Sequence, residues 1–177
     1  MKYIIYLLAI IFLAGVNVGV FSYFKILGVG PNLFLLFVFF AATEKYSDDY
    51  LFLAFISGVF LDFFTGAFFG TFTLPILFSS FLLRIIMSNW VLLFEVNWKN
   101  LIILMTAFFT SVYIFAWLVS LATFKFGWNF QQIGFGVFTW KFVVVIIYNL
   151  LLLYPVYLFV LLLKKINRNF VPQNRNF

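Results

Sequence analysis

Hydrophobic residues in this chain neither alternate nor recur every third or fourth position. They come in long continuous runs separated by short polar stretches. A segment apolar on every side is buried on every side, in a protein core or in lipid. The runs extend from Tyr3 to Phe24, from Asn32 to Thr43, from Tyr50 to about Phe64, from about Ala67 to Met87, from Leu101 to Phe124, and from about Phe138 to Leu163. A hydrocarbon layer of about 30 Å takes roughly 20 helical residues to cross. The pattern therefore predicts an all-α integral membrane protein, a bundle of six transmembrane helices. The second run is short. It crosses only with its flanks, or beside a thinned or re-entrant region.

The breaks between runs carry their own signals. The first run follows Lys2 and is about 22 residues long, beyond the roughly 7–15 of a signal-peptide core. Val16 follows Leu13-Ala14-Gly15 where lipoprotein processing needs a cysteine, so the run reads as an uncleaved helix. Gly28, Gly30 and Pro31 break the chain next, and Pro31 suits the first turn of the second helix. Glu44, Lys45, Ser47, Asp48 and Asp49 form the most polar loop, with Ser47 or Asp48 placed to cap the third helix. Thr65 and Gly66 end that helix. Pro75 falls inside the fourth run, where membrane neighbours can satisfy the freed carbonyl. Ser88 to Lys99, with Trp90, Glu95, Asn97 and Trp98, reads as an interfacial loop. A second loop holds Gly127, Trp128, Asn129, Gln131, Gln132, Gly134 and Gly136. Residues 1–168 form one transmembrane domain, and 169–177 a polar, disordered tail on the cytoplasmic side. No internal repeat is present.

Composition strengthens this picture. Of 177 residues, 66% are hydrophobic and only 9% charged, whereas a soluble domain carries about a quarter charged residues. The thirty phenylalanines need no binding role, because lipid accepts Phe as readily as Leu. The net charge of +6 sits in tethers between apolar runs, a sign of topology and not of a nucleic-acid face. With the N-terminus inside, the inner side holds Lys2, Lys45, Arg84, Lys99, Lys164, Lys165, Arg168 and Arg175. The outer side holds Lys25, Lys125 and Lys141. That bias places both termini in the cytoplasm.

Candidate chemistry is sparse. The chain has no Cys and no His, which removes thiolate chemistry, the usual zinc sites and histidine proton shuttles. No Walker loop, dinucleotide fingerprint or calcium loop occurs, and Ser57 and Asp62 face different sides of a helix. No catalytic residue, metal site or cofactor is assigned, and the chain reads as a non-enzyme. Asp62 alone among the acids lies deep in an apolar run, where a carboxylate costs about 2.5–3.5 kcal/mol on insertion scales. Thirteen helical residues after Asp49 put it about 20 Å from the inner face. Asn17 reaches a similar height, and Lys141 starts the sixth run near that level. Two readings follow: a polar cluster of Asp62, Asn17 and Lys141, or a cap on the outer helix turn among Thr65 and the glycines.

Asp62 sits within Gly58-x3-Asp62-x3-Gly66-x3-Gly70, and small residues at that spacing let helices approach closely. The spacing is similar to half of the lipid phosphotransferase signature. The upstream Asp-Gly-x2-Ala-Arg is absent, and Gly66 stands where the final Asp belongs, so that reading is rejected.

Leu27-Gly28-Val29-Gly30-Pro31-Asn32-Leu33, together with Ser57 to Gly66 and Phe69-Gly70, resembles the rod shape-determining protein MreD family. Asn17, fourteen residues before Pro31, stands where the family often has Gln. The resemblance covers roughly residues 13 to 83. It implies a scaffold of the bacterial cell-elongation complex in the inner membrane, organising lateral peptidoglycan synthesis. Such a protein binds the transmembrane helix of MreC, and engages MreB and the elongation polymerase and transpeptidase. Asn17, Pro31, Gly58, Asp62, Gly66 and Gly70 would form the partner-binding or structural motif. Families of this type are similar in fold to the substrate-binding subunits of energy-coupling vitamin transporters, which supplies an alternative function.

Overall fold

A computed structural model describes residues 2–25, 28–43, 49–90, 98–125 and 140–170. Among these the chain forms six helices and no strand: α1 (Lys2–Gly19), α2 (Leu33–Thr43), α3 (Tyr50–Thr65), α4 (Thr73–Trp90), α5 (Trp98–Lys125) and α6 (Trp140–Phe170). Two of them, α5 and α6, are long and apolar enough to cross a membrane by themselves.

The short second run becomes the centre of the molecule. Helix α2 has 11 residues and a length of about 16 Å. Every side chain from Leu33 to Ala42 is buried, and α2 touches all five other helices. Its phenylalanines reach outward in different directions. Phe34 stacks on Phe60 and Phe64 of α3, Phe39 meets Phe108 of α5, and Phe37 and Phe40 meet Phe159 and Tyr157 of α6. These nine aromatic side chains serve as filling between α2 and its neighbours.

Around this axle, α3 and α4 form the most extensive helix pair, followed by α4 with α5. The Arg84 guanidinium of α4 lies 5.6 Å from the ring centroid of Tyr50, so the end of α4 returns beside the start of α3. Helices α5 and α6 touch each other only sparsely, being held apart by α2.

Several boundaries differ from expectation. The first run stops being helical at Gly19, and residues 20–24 tighten into turns, with Val20 and Phe21 both donating to the Val16 carbonyl. Pro31 precedes the helix: Asn32 is the N-cap of α2, its Oδ1 accepting from the Leu35 N–H at 3.2 Å. The residue flanking α3 is Asp49, whose side chain makes no cap bond. Ser47 and Asp48 lie outside the described residues, as do Glu44, Lys45, Glu95, Asn97 and the predicted loop from Gly127 to Gly136. Helix α4 begins at Thr73 and not near Ala67, so Pro75 falls in its first turn, where a missing N–H costs nothing. The proline inside a helix is Pro155 of α6. Ser88–Trp90 continue α4, and Trp98 and Lys99 already belong to α5, so the predicted interfacial loop is shorter at both ends. Helix α6 runs on to Phe170, taking Asn169 and Phe170 from the expected tail. Residues 171–177, with Arg175, lie outside the described residues.

Candidate functional site

Helix α3 ends in a left-handed residue. Gly66 has φ 63° and ψ 20°, a conformation disfavoured for residues with a Cβ. Its N–H donates to the Phe63 carbonyl at 3.3 Å, and the Ala67 N–H donates to the Asp62 carbonyl at 3.1 Å. This double closure is a Schellman motif. Gly70 makes the second left-handed turn, at φ 100°. The chain is thereby folded back so that the start of α4 faces the last turn of α3.

Into that corner projects the Asp62 carboxylate, only 2% exposed. Oδ2 accepts from the Gly70 N–H at 2.7 Å, from the Thr73 hydroxyl at 2.6 Å and from the Thr73 N–H at 3.3 Å. Oδ1 accepts from the Phe72 N–H at 2.6 Å. The first N–H groups of a helix have no partner within it and carry its positive dipole end. The Thr73 N–H is one of these, and the Gly70 and Phe72 N–H groups come from the turn that leads into α4; a carboxylate taking three backbone donors and a hydroxyl is satisfied without a cation. Asp62 is thus a cap, on the start of α4 rather than on the end of its own helix.

Gly58 lies one turn before Asp62 on the same face. A Cβ built on it would stand 2.5 Å from the Thr73 Cα. The close approach that small residues permit is therefore used up within the chain, between α3 and α4. No bulk is met at Gly66, where a Cβ would find nothing within 4 Å, so that glycine is required by its backbone alone. The four positions of the motif thus act together: Gly58 brings α4 close, Gly66 and Gly70 turn the chain, and Asp62 ties the corner.

The expected polar cluster does not form. Neither Asn17 nor Lys141 is among the partners of Asp62, whose lone pairs are taken by Gly70, Phe72 and Thr73. Asn17 is half-buried, and its Oδ1 is shut off from solvent with no hydrogen-bond partner. Lys141 is exposed on the first turn of α6. Similar height along the helices leaves the direction around each helix open, and here the side chains diverge.

A second polar tie, absent from the sequence-based expectations, joins α6 to α2. Asn149 is fully buried in the middle of an apolar run. Its Oδ1 accepts from the Asn32 N–H at 3.0 Å, and its Nδ2 donates to the Val145 carbonyl at 2.7 Å. The Tyr113 hydroxyl of α5 adjoins the Asn32 side chain, and the Tyr148 hydroxyl donates to the Phe24 carbonyl. The signal was available: Asn149 is an amide inside the sixth run, as unusual there as Asp62 is in the third. Pro31 and Asn32 of the Gly28-x2-Pro31-Asn32 stretch belong to this tie, with Pro31 buried just before the cap.

The two larger described cavities are apolar and open, and a much smaller one lies beside Tyr6 and Lys164. The larger ones are a cleft of about 510 Å³ between α5 and α6, lined by Trp98, Ile102, Leu150, Leu153 and Tyr154, and a shallow trough of about 600 Å³ along α5 from Ile102 to Ile114. No group of three or more metal-ligating side chains gathers among the described residues. No family model, curated protein or solved structure matches the chain.

Proposed function

We propose that the chain is a multi-pass scaffold of the bacterial inner membrane, a six-helix bundle with both termini in the cytoplasm, acting in the cell-elongation complex. The observation that carries this reading is the use made of the Gly58–Gly70 motif. Gly58, Asp62, Gly66 and Gly70, which carry much of the resemblance to the MreD family, do architectural work in the α3–α4 corner, and the Asp62 carboxylate is fully engaged there. An apolar exterior supports membrane embedding. Phe63 is 82% exposed, and large hydrophobics stand outward along α1, α4, α5 and α6. Soluble proteins do not present such continuous apolar surface.

In this reading the partners are the transmembrane helix of MreC and, through it, MreB, the polymerase and the transpeptidase. The docking face differs from the one that spacing alone suggested. Gly58 is occupied by Thr73, so the small residues open to a partner lie on α1, where Gly15 and Gly19 are exposed, and on α5, where Ala107 is exposed and Thr110 and Ser111 are half-buried along a shallow trough; the α5 face is the one proposed. A vitamin-binding subunit needs an enclosed pocket with convergent polar groups. The open apolar cavities favour the scaffold.

A photo-crosslinking residue at Ala107, with Leu8 on the outer face of α1 as the control position, tests the proposal in cells. Capture of MreC from Ala107 and not from Leu8 is the expected result. Failure to capture it from any face of the bundle removes the scaffold assignment.

A further inference from the structure

Where α5 and α6 diverge, the cleft between them is walled by Trp98, Ile102, Leu150, Leu153 and Tyr154. These walls are bulky, whereas a docked helix prefers small residues that allow its backbone near. The volume of about 510 Å³ is also under half of the roughly 1,200 Å³ filled by three turns of a helix about 10 Å across. A flexible hydrocarbon chain fits such a slot without these demands. At one end of the cleft, Trp98 packs against Tyr154 and Tyr157, with ring centroids 6.1 and 5.6 Å away. Rings with one polar edge favour the boundary between hydrocarbon and headgroups.

Among the described residues of α5 and α6, the charges at that end are all basic. Lys99 is exposed beside Trp98, and no ion pair engages it among the described residues. The first turn of α5 contains no acid. Lys164 and the exposed Lys165 follow two turns beyond Tyr157 on α6. We propose that the α5–α6 cleft holds an anionic phospholipid, with an acyl chain along Ile102, Leu150 and Leu153 and the headgroup phosphate at Lys99. This inference rests on the membrane reading above and is independent of the protein partner.

The absence of cysteine makes a site-specific test direct. Ile102→Cys places a bimane fluorophore in the cleft, and Leu8→Cys places one on the outer face of α1, which is 60% exposed. Each labelled protein is reconstituted in phosphatidylcholine–phosphatidylglycerol vesicles in which one lipid or the other is brominated. Brominated phosphatidylglycerol should quench the cleft probe about fivefold beyond its share of the lipid, the preference one lysine near the surface confers. The α1 probe should follow the bulk composition. Lys99→Gln should return the cleft probe to bulk behaviour while leaving quenching by brominated phosphatidylcholine in place, which also shows that the variant is folded.

Equal headgroup preference at both probes would reduce the cleft to ordinary lipid contact and overturn the proposal, as would persistence of the preference in Lys99→Gln. A cleft probe shielded from both lipids, with cysteine crosslinks between copies, would assign the cleft to a second chain instead. Absence of quenching at both positions would remove the membrane reading and this inference together.

Discussion

Gly58 and Asp62 stand one turn apart on α3 and meet the same residue, Thr73, by opposite means. Gly58 does so by having no side chain. Gly58→Ala puts a methyl 2.5 Å from a backbone carbon, and overpacking of this kind costs about 1–3 kcal/mol. Steric-trapping measurements of unfolding in bicelles should register that loss. Asp62 works through charge and four accepted bonds. Asp62→Asn keeps the shape but turns an amide toward donors, and should cost about 1–3 kcal/mol by the same assay. Thr73→Val, which removes one of those four, should cost less. The double variant should lose less than the sum, because both changes disrupt one network. Asn17 predicts the opposite sign. Its Oδ1 has no partner, so Asn17→Leu should be neutral or slightly stabilising, whereas a working polar cluster would require a clear loss.

Helices α2 and α6 are coupled through one amide. Asn149→Leu would leave the Asn32 N–H without its acceptor in an apolar interior, a change expected to destabilise by about 1–3 kcal/mol. Hydrogen exchange should show the first turn of α2 opening before the rest of the bundle. At the end of α3, Gly66→Ala meets no neighbour and should cost only the left-handed strain, about 1 kcal/mol, and less for Gly66→Asn. The positions of these elements were largely legible, because apolar runs and the Gly and polar breaks between them record where helices start and stop. The beginning of α4 was not. From Ala67 onward the residues are hydrophobic enough to continue a helix, and only the capture of Gly70, Phe72 and Thr73 by Asp62 delays it. Asp62 stood out as a deep acid, but its partner did not, since backbone N–H groups leave no trace in residue identity. Asn149 carried a similar signal and was overlooked among so many leucines. The direction in which Asn17 and Lys141 point depends on helix rotation, which continuous hydrophobicity leaves undetermined.

Taken whole, the molecule is a short buried helix surrounded by longer ones. In the proposed membrane setting, burial of apolar side chains gains little over exposure to acyl chains, so dense packing and polar ties would supply the stability. The proposed orientation, with both termini in the cytoplasm, predicts that a fluorescent-protein fusion at the C-terminus fluoresces, while a phosphatase fusion there is inactive. Opposite results would place that end outside. The corner at Asp62 also sets a schedule. Its donors lie eight to eleven residues downstream, and at about 5–20 residues per second they leave the ribosome within roughly half a second to two seconds of the carboxylate. A charge that would be costly in lipid therefore waits only briefly for its neutralising amides. Under the proposed membrane embedding, the third and fourth helices enter the bilayer as one pre-tied hairpin.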